Sequence, residues 1–388
     1  MIRVVMLGQG LVASHLMVGV ERIKKNEIKP YGVPLAKYEL PYSISDIKFV
    51  KSYEVDPSKI GKTVYDVCKK LVGEVLPVPE ELREVTIGEG IHQGSMKGII
   101  KNPVGLEEKH GLEEAVEKIS DEWVRLEPDV IVNTITTEEA FPFKNPEDLE
   151  RAIKSGEEKV SASHAYAYAA WRYAVKSGRK VTFVNVIPSP LANDPAVVAL
   201  YEKNGLVVLG DDGATGATPL TADLMEHLAE RNRYVKFIVQ FNIGGNTDFL
   251  ALTKPERNKM KEFTKSSVVA DILGYEPPHY IKPTGYLEPL GDKKFVAMHI
   301  EYKTFNELED SLYINARIND SPALAGLLVD LIRIGKIALD KNLRGTLYEV
   351  NAFFMKKPGP LDAKSVSRIE AYYRMLCWLR DLGVLRGG

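Results

Sequence analysis

Short apolar segments alternate with longer helical patterns through roughly the first 230 residues, and this alternation limits the possible folds more than any other feature. The candidate strands are 2–7, 47–50, 130–134, 181–187 and 206–210. Most are apolar almost throughout, as strands buried on both faces must be. Helical patterns such as 110–126 and 161–178 lie between them. The pattern predicts a parallel, doubly wound sheet.

The pattern changes after about residue 235, where strand-like segments follow one another without a helix between each pair. Segments 236–245, 294–302 and 312–318 predict a mixed or antiparallel sheet in a second lobe, and two lobes suit a chain of 388 residues. A long helix follows, with Ser321 as its expected N-cap. The helical tail, 366–383, could pack back onto the first lobe, which would make the second lobe an insertion; the sequence leaves this open.

Composition excludes several classes of protein. The formal net charge is −2, which gives no reason to expect a nucleic acid or an acidic membrane surface as partner. No apolar run is long enough and free enough of charge for a membrane span, and the N-terminus lacks the organisation of a signal peptide. Cys68 and Cys377 are too few for a disulfide framework. We therefore expect a cytoplasmic protein.

The N-terminal segment MLGQGLVAS places a glycine-rich turn directly after a strand and at the start of a helix. Gly8, Gly10 and Ala13 form a G-x-G-x-x-A pattern, in which glycines allow the tight turn and the approach of a pyrophosphate. Leu11 and Val12 begin the helix, whose N-terminus favours an anion. The pattern predicts a dinucleotide site, although a plain tight turn is the alternative.

Two further strand ends carry candidate cofactor contacts. The acidic residue that grips a ribose usually follows the glycine loop by about 20 residues. An apparent insertion occupies that place here, so Glu54 is the first candidate and Asp56 the second. The segment VNTITTE offers Asn133 and Thr137 at another strand end, where polar contacts to a nicotinamide or ribose would arise.

A second glycine-rich loop, GDDGATGATP, also joins a strand to a helix. Thr215, Gly216 and the backbone N–H groups at the helix N-terminus make an expected anion site. Asp211 and Asp212 are candidate cofactor contacts in the same loop. A simple turn built by glycine and aspartate is the alternative. Two such loops could hold a dinucleotide and a substrate phosphate.

The second lobe combines apolar segments with lysines and carboxylates. In NKMKEFTKSSVV, Lys261 and Lys265 lie four residues apart, a spacing at which like charges repel on a helix. A solvated face and a cationic site explain this pair equally well, whereas Lys259 reads as solvated. Lysines can serve as acids, bases or oxyanion partners. The other polar candidates in this half are Asn242, Asp248, Lys293, Lys294, Asp320, Lys356 and Lys357.

Taken together and in order, these segments resemble the myo-inositol-1-phosphate synthase (inositol-3-phosphate synthase) family, especially its shorter archaeal and bacterial members. The segments that carry the resemblance are GQGLVAS, NTITTE, NVIPSPLAND, GDDGATGATP, FNIGGNTDFLAL, KEFTKSSVV, NDSPALAGLLVDLIR and NAFFMKKPGP. They extend from the first strand to about residue 360. The combination is specific, whereas the first glycine motif alone is not.

The resemblance implies a fold and an activity. The fold is α/β, a Rossmann-type doubly wound sheet at 1–235 with an inserted α+β catalytic and tetramerisation domain at 236–345. A C-terminal segment, 346–388, returns to the first domain, and the chain assembles as a homotetramer. The activity is the cyclisation of glucose 6-phosphate to myo-inositol phosphate with tightly held NAD and no net redox. A monovalent or divalent cation could assist, and it would leave no motif.

The resemblance also assigns roles to residues. Thr215 and Gly216 form the phosphate loop, with Lys265 and Lys293 facing the phosphate. Lys261 and Lys356 shuttle protons and stabilise oxyanions. The polar groups expected to orient substrate and lysines are Asn242, Asp248 and Asp320, and Ser189 is expected at the cofactor. Lys294 could replace Lys293, and Lys357 could replace Lys356, because each assignment could be off by one residue.

Two rival functions use the same sequence features. One is a net NAD(P)-dependent dehydrogenase of a phosphorylated small metabolite, which does not require so many lysines around one carbon chain. The other is a nucleotide-binding protein without catalytic activity. Product analysis with glucose 6-phosphate and NAD separates all three.

Overall fold

The computed structural model describes residues 1–96, 98–246, 249–250 and 268–387. Its larger sheet has seven parallel strands in the order β11-β6-β5-β4-β1-β2-β3. These strands are β1 (Ile2–Leu7), β2 (Ile47–Glu54), β3 (Ile87–Glu89), β4 (Val130–Asn133), β5 (Thr182–Asn185), β6 (Val207–Leu209) and β11 (Gly345–Thr346). The predicted parallel, doubly wound sheet is confirmed.

Helices cover both faces of this sheet. Those assigned in the described part of the chain are α1 (Leu11–Lys24), α2 (Val64–Val72), α3 (Leu106–His110), α4 (Leu112–Leu126), α5 (Pro146–Ser155), α6 (Ala162–Ser177), α7 (Pro195–Lys203), α8 (Thr218–Ala229), α9 (Asp320–Asp340), α10 (Tyr348–Phe354) and α11 (Arg368–Asp381). One face packs against α1, α2, α9 and α11, and the other against α4 to α7. Because the central strands are buried on both faces, their sequences are apolar almost throughout.

A second sheet has four strands in the order β10-β9-β7-β8. They are β7 (Tyr234–Gly244), β8 (His279–Tyr286), β9 (Lys293–Lys303) and β10 (Glu309–Asn319). The β7–β8 pair is parallel and the other two pairs are antiparallel, so the predicted mixed sheet is confirmed. Along β9, buried side chains alternate with more exposed ones. The buried side chains pack with Met225 and Leu228 of α8 in a third apolar core.

The chain then returns to the larger sheet. Helix α9 contacts β1, β4, β5, β6 and α1, and β11 pairs with β6 at the sheet edge. The return thus begins at α9, before residue 345, and the division into 1–235, 236–345 and 346–388 stays a proposal. The expectation that Ser321 caps α9 is wrong, because the helix begins at Asp320 with Asn319 as N-cap.

None of the helices in the described ranges combines the length and apolarity needed to span a membrane.

Candidate functional site

A cleft lies where the carboxyl ends of β1, β4, β5 and β6 face the second sheet. Parallel α/β sheets bind ligands at this edge, because the loops after the strands converge there. The cavity is about 160 Å³, and its lining combines glycine-loop, apolar and charged residues. Those lining residues are Gly10–Val12, Thr134–Thr137, Val186, Ile187, Asp212, Gly213, Thr215, Asn246, Phe249, Lys294, Asp320, Ser321, Leu324 and Lys356.

The first glycine loop has the geometry of a dinucleotide turn. Gly8 has a φ of +87°, and a Cβ there would lie 2.9 Å from the carbonyl oxygen of Thr134, so only glycine fits. Gly10 is the N-cap of α1, and a Cβ built on it would meet no described atom within 4 Å. Ala13 is fully buried, which lets α1 pack closely on the sheet. The open backbone at Gly10 and the helix N-terminus fit a pyrophosphate.

Glu54 ends β2 beside this loop. Its Oε1 accepts hydrogen bonds from the Gln9 N–H at 3.1 Å and from Lys59 Nζ at 2.7 Å. Its Oε2 accepts from the N–H groups of Val55 at 2.9 Å and Asp56 at 3.3 Å. Glu54 therefore ties the glycine loop to the end of β2. Both Glu54 and Asp56 line a second cavity that adjoins the first through Gly10 and Thr134.

The far wall of this second cavity comes from the segment after β3, which the sequence analysis did not identify. Its members are Ile91, His92, Ser95, Met96 and Ile100. Lys59 was also missed, although its ammonium bridges Glu54 and the Gln9 carbonyl oxygen, the latter at 3.1 Å. A short apolar segment with scattered polar residues has no distinctive spacing, so only the folded chain identifies this wall.

Three expected cofactor contacts lie in a buried polar network under the cleft and are absent from the described lining. Asn133 donates to Ser163 Oγ and Asn185 Oδ1, both at 3.0 Å. Ser189 Oγ donates to Glu138 Oε1 at 3.2 Å. These side chains are fully buried and hold the loops after β4 and β5. Thr137, in contrast, lies at the cleft.

Asp211 is the third of these residues. Its carboxylate accepts five hydrogen bonds, from the N–H groups of Leu191, Ala192 and Asn193 and from the amides of Asn185 and Asn193. Burial nevertheless raises the pKa of Asp211 to about 6, because the carboxylate is shielded from water. Its geometry is that of a loop anchor.

The second glycine loop forms one wall of the cleft. Gly216 has a φ of +67°, and a Cβ there would lie 2.9 Å from Lys294 Nζ and 3.4 Å from Asp320 Oδ1. Thr215 Oγ1 donates to Asp320 Oδ1 at 3.5 Å. Helix α8 begins two residues after Gly216, with its N-terminus at this loop. Backbone donors, a helix N-terminus and an ammonium group meet here, as an anion site requires.

The lysine at this loop is Lys294 and not the expected Lys293. Lys294 is 7% exposed, and its Nζ lies 3.5 Å from Asp320 Oδ2 and 5.0 Å from the centroid of the Phe249 ring. Lys293 precedes it on β9 and is exposed. Because side chains alternate along a strand, the two cannot face the same cavity. Lys294 therefore replaces Lys293 as the candidate.

The opposite wall carries Lys356, as expected from the family resemblance. This side chain is 5% exposed, and its Nζ donates to Asp212 Oδ1 at 2.9 Å. Asp212 has a φ of +60°, and its carbonyl oxygen accepts a hydrogen bond from the Lys356 N–H at 2.6 Å. Lys357 lies outside the described lining, and its carbonyl oxygen accepts from the Asp211 N–H at 2.8 Å. The described residues of the cleft thus include two ammonium–carboxylate pairs.

The remaining candidates differ in position. Asn242 is buried in β7, where its Nδ2 donates to the Lys282 carbonyl oxygen at 3.1 Å, and it is not among the described residues of the cleft wall. Asp248, Lys261 and Lys265 lie outside the described residues. In the ranges that are described, no group of three or more His, Cys, Asp or Glu side chains is placed to hold a metal ion.

Comparison with known proteins places the chain in a family. The family model for myo-inositol-1-phosphate synthase matches residues 216–321. The crystal structure of a myo-inositol-1-phosphate synthase-related protein from Thermotoga maritima is 57% identical, with 99% of each chain covered and a TM-score of 0.92. Inositol-3-phosphate synthase from Mycolicibacterium smegmatis is 28% identical, with 95% of this chain and 96% of the relative covered.

A more distant structure, inositol-3-phosphate synthase from Caenorhabditis elegans, shares the fold at 17% identity and a TM-score of 0.83, with 99% of this chain and 86% of that chain covered. The match to the Thermotoga protein covers 99% of this chain and is therefore not confined to either sheet. The chain belongs to the myo-inositol-1-phosphate synthase family, whose named relatives are isomerase-type enzymes.

Proposed function

We propose that this protein converts glucose 6-phosphate to 1D-myo-inositol 3-phosphate through oxidation, enolisation, intramolecular aldol cyclisation and re-reduction, with NAD as a recycled cofactor. One observation carries the proposal. The pairs Lys294–Asp320 and Lys356–Asp212 lie in one cleft between two glycine-rich loops. A net hydride transfer requires no second ammonium group, whereas a cyclisation generates negative charge on two different oxygens of a phosphorylated substrate.

NAD, when bound, would accept a hydride from the substrate and return it. The residues that would hold it are the first glycine loop, Glu54, Asp56 and Thr137. Gly10 leaves space at the N-terminus of α1, and Glu54 already fixes the conformation of the loop through the Gln9 N–H. A carboxylate at this position is the usual hydrogen-bond partner of the ribose 2′-hydroxyl in NAD, which favours NAD over NADP.

The substrate phosphate would bind at Gly216 and Thr215, against the N-terminus of α8 and Lys294. Lys294 already forms an ion pair with Asp320, so its ammonium remains in the cleft before an anion arrives. Its position over the Phe249 ring limits hydration on one side. A partly desolvated ammonium interacts more strongly with a phosphate than one in bulk water.

Lys356 would act at the reacting carbons. Its Nζ is nearly excluded from solvent and is oriented by Asp212. From this position it would donate a hydrogen bond to the oxygen that gains charge, and it would exchange a proton at Nζ. Lys261, Lys265 and Asp248 are proposed to complete the site, with the roles that the family resemblance gives them.

Product analysis tests the function. The protein is incubated with glucose 6-phosphate and NAD, with and without a chelator, and the products are separated and identified. We expect an inositol phosphate that lacks a reducing end, with no accumulation of NADH. Stoichiometric NADH release would instead identify a net dehydrogenase. A loss of turnover with chelator would identify the assisting cation as divalent.

We also propose that the protein is a homotetramer assembled through the second sheet. The face of this sheet opposite its buried core carries aromatic side chains: Tyr313 is 71% exposed and Phe241 is 43% exposed. The Tyr313 ring stacks on the His299 ring with their centroids 4.3 Å apart. The Phe241 and Tyr280 rings lie tilted to each other with centroids 5.7 Å apart. A contiguous aromatic face of this kind is typical of a subunit interface. Sedimentation analysis that finds a monomer would refute this assembly.

A further inference from the structure

Asp292 lies in the turn before β9, outside the described cleft lining, and contacts two separate parts of the site. Its Oδ1 accepts from Ser321 Oγ at 2.6 Å and from Asn246 Nδ2 at 3.1 Å. Its Oδ2 accepts from the Ser321 N–H at 3.0 Å, and its carbonyl oxygen accepts from the Asp320 N–H at 3.2 Å. A single residue thus binds the start of α9 and the turn after β7.

These contacts take the place of a local helix cap. Asn319, the N-cap of α9, makes no side-chain capping bond within the described part of the chain. The first two N–H groups of the helix are satisfied by Asp292 instead. A carboxylate at a helix N-terminus is also stabilised by the helix dipole. The position of Asp320, the first residue of α9, therefore depends on a residue 28 positions earlier in the chain.

Asp292 also holds the neighbours of Lys294, since its carbonyl oxygen accepts from the Asp320 N–H and its carboxylate accepts from the adjacent Ser321 and from Asn246. Asp320 forms the ion pair with Lys294. Asn246, held through its Nδ2, accepts from the Phe249 N–H at 3.1 Å through Oδ1, and the Phe249 ring lies beside the Lys294 ammonium. Lys294 itself follows Asp292 by two residues on β9.

We propose that Asp292 is a positioning residue that sets the location and exposure of the Lys294 ammonium by holding Asp320 and Phe249 around it. Its effect on turnover rests on the proposed function, but its effect on Lys294 does not. Asp292→Asn tests the proposal with little change in volume. The amide has one acceptor oxygen, and its NH2 would face donors from Ser321 or Asn246, so at least one present bond must break.

The primary readout is independent of catalysis. Trace acetylation with acetic anhydride, followed by peptide mass spectrometry, measures the reactivity of each lysine. We expect Asp292→Asn to raise the acetylation rate of Lys294 severalfold. Two other lysines should keep their wild-type rates: Lys293, which is exposed, and Lys356, which is buried in the opposite wall of the cleft. Unchanged Lys294 reactivity would overturn the proposal, as would an equal rise at Lys294 and Lys356, which indicates general loosening.

Turnover provides the second readout. We expect kcat with glucose 6-phosphate to fall by about tenfold or more in Asp292→Asn, and NAD binding to keep its wild-type affinity. The control Asp310→Asn removes an exposed carboxylate of β10 and should leave both readouts unchanged. If Asp292→Asn does not fold, Ser321→Ala removes only the hydroxyl bond and should give a smaller rise at Lys294. If the wild type forms no inositol phosphate, the proposed function fails while acetylation still decides the role of Asp292.

Discussion

Replacing Gly216 by alanine tests the phosphate site directly. The residue has a φ of +67°, where an L-residue pays about 1–2 kcal/mol of backbone strain. Its Cβ would also lie 2.9 Å from Lys294 Nζ. Because that atom ends a flexible side chain, we expect the ammonium to withdraw by about 1 Å and the fold to persist.

The cost to phosphate binding follows from this displacement. At an effective dielectric constant near 20, unit charges attract by about 4 kcal/mol at about 4 Å and by about 3.3 kcal/mol at about 5 Å. A phosphate carrying nearly two charges would therefore lose roughly 1.5 kcal/mol of attraction. Since 1.36 kcal/mol corresponds to a factor of ten, KM for glucose 6-phosphate should rise about tenfold.

A matched glycine separates the cleft effect from backbone strain. Gly178 ends α6 with a φ of +70°, and a Cβ there would meet no described atom within 4 Å. Gly178→Ala should therefore lower the free energy of unfolding about as much as Gly216→Ala, with KM unchanged. Initial-rate kinetics and urea denaturation of both variants provide the comparison. Equal KM values in the two variants would refute the placement of the substrate phosphate at Gly216.

Three further predictions use neighbouring residues and pH. Lys294→Met should raise KM or lower kcat by a factor of about 100, whereas Lys293→Met should leave both near wild type. The reverse result would restore Lys293 as the lysine that faces the phosphate. Lys356→Met should lower kcat by a factor of about 100, whereas Lys357→Met should leave kcat near wild type. Single-turnover kinetics measure both effects. Burial raises the pKa of Asp211 to about 6, so between about pH 4 and pH 6 the folded protein holds a proton that the unfolded chain releases. Relative to Asp211→Asn, the wild-type free energy of unfolding should therefore rise as pH falls from 7 to 5, and urea midpoints that show the opposite slope would contradict this.

The sequence predicted features that depend on local order. The apolar strands and the turn at Gly8 each follow from the residues within one segment, because burial on both faces and a positive φ impose requirements that can be read locally. The predicted sheet classes are confirmed for the same reason. Lys356, which the family resemblance assigned together with the alternative Lys357, also lies in the cleft.

Features that depend on register could not be predicted in the same way. Lys293 and Lys294 are adjacent, and the side chain that faces the cleft is determined by how β9 pairs with β7 and β10. The β7–β9 pairing contains an irregularity between Val235 and Phe237, so counting from a distant motif does not fix the inward face. An error of one residue reverses the direction of a strand side chain, whereas on a helix it changes the direction by about 100°.

The start of α9 illustrates a second limit. Ser321 as N-cap and Pro322 in the first turn form a good local capping signal, yet the helix begins two residues earlier because Asp292 supplies acceptors from another segment. The serine hydroxyl then acts as a donor to Asp292. Capping preferences describe helices whose first N–H groups bond to a side chain adjacent in sequence. They do not apply where a residue from another segment accepts those hydrogen bonds. The failure matters for function, since the same displacement makes Asp320 the first helical residue and places it opposite Lys294.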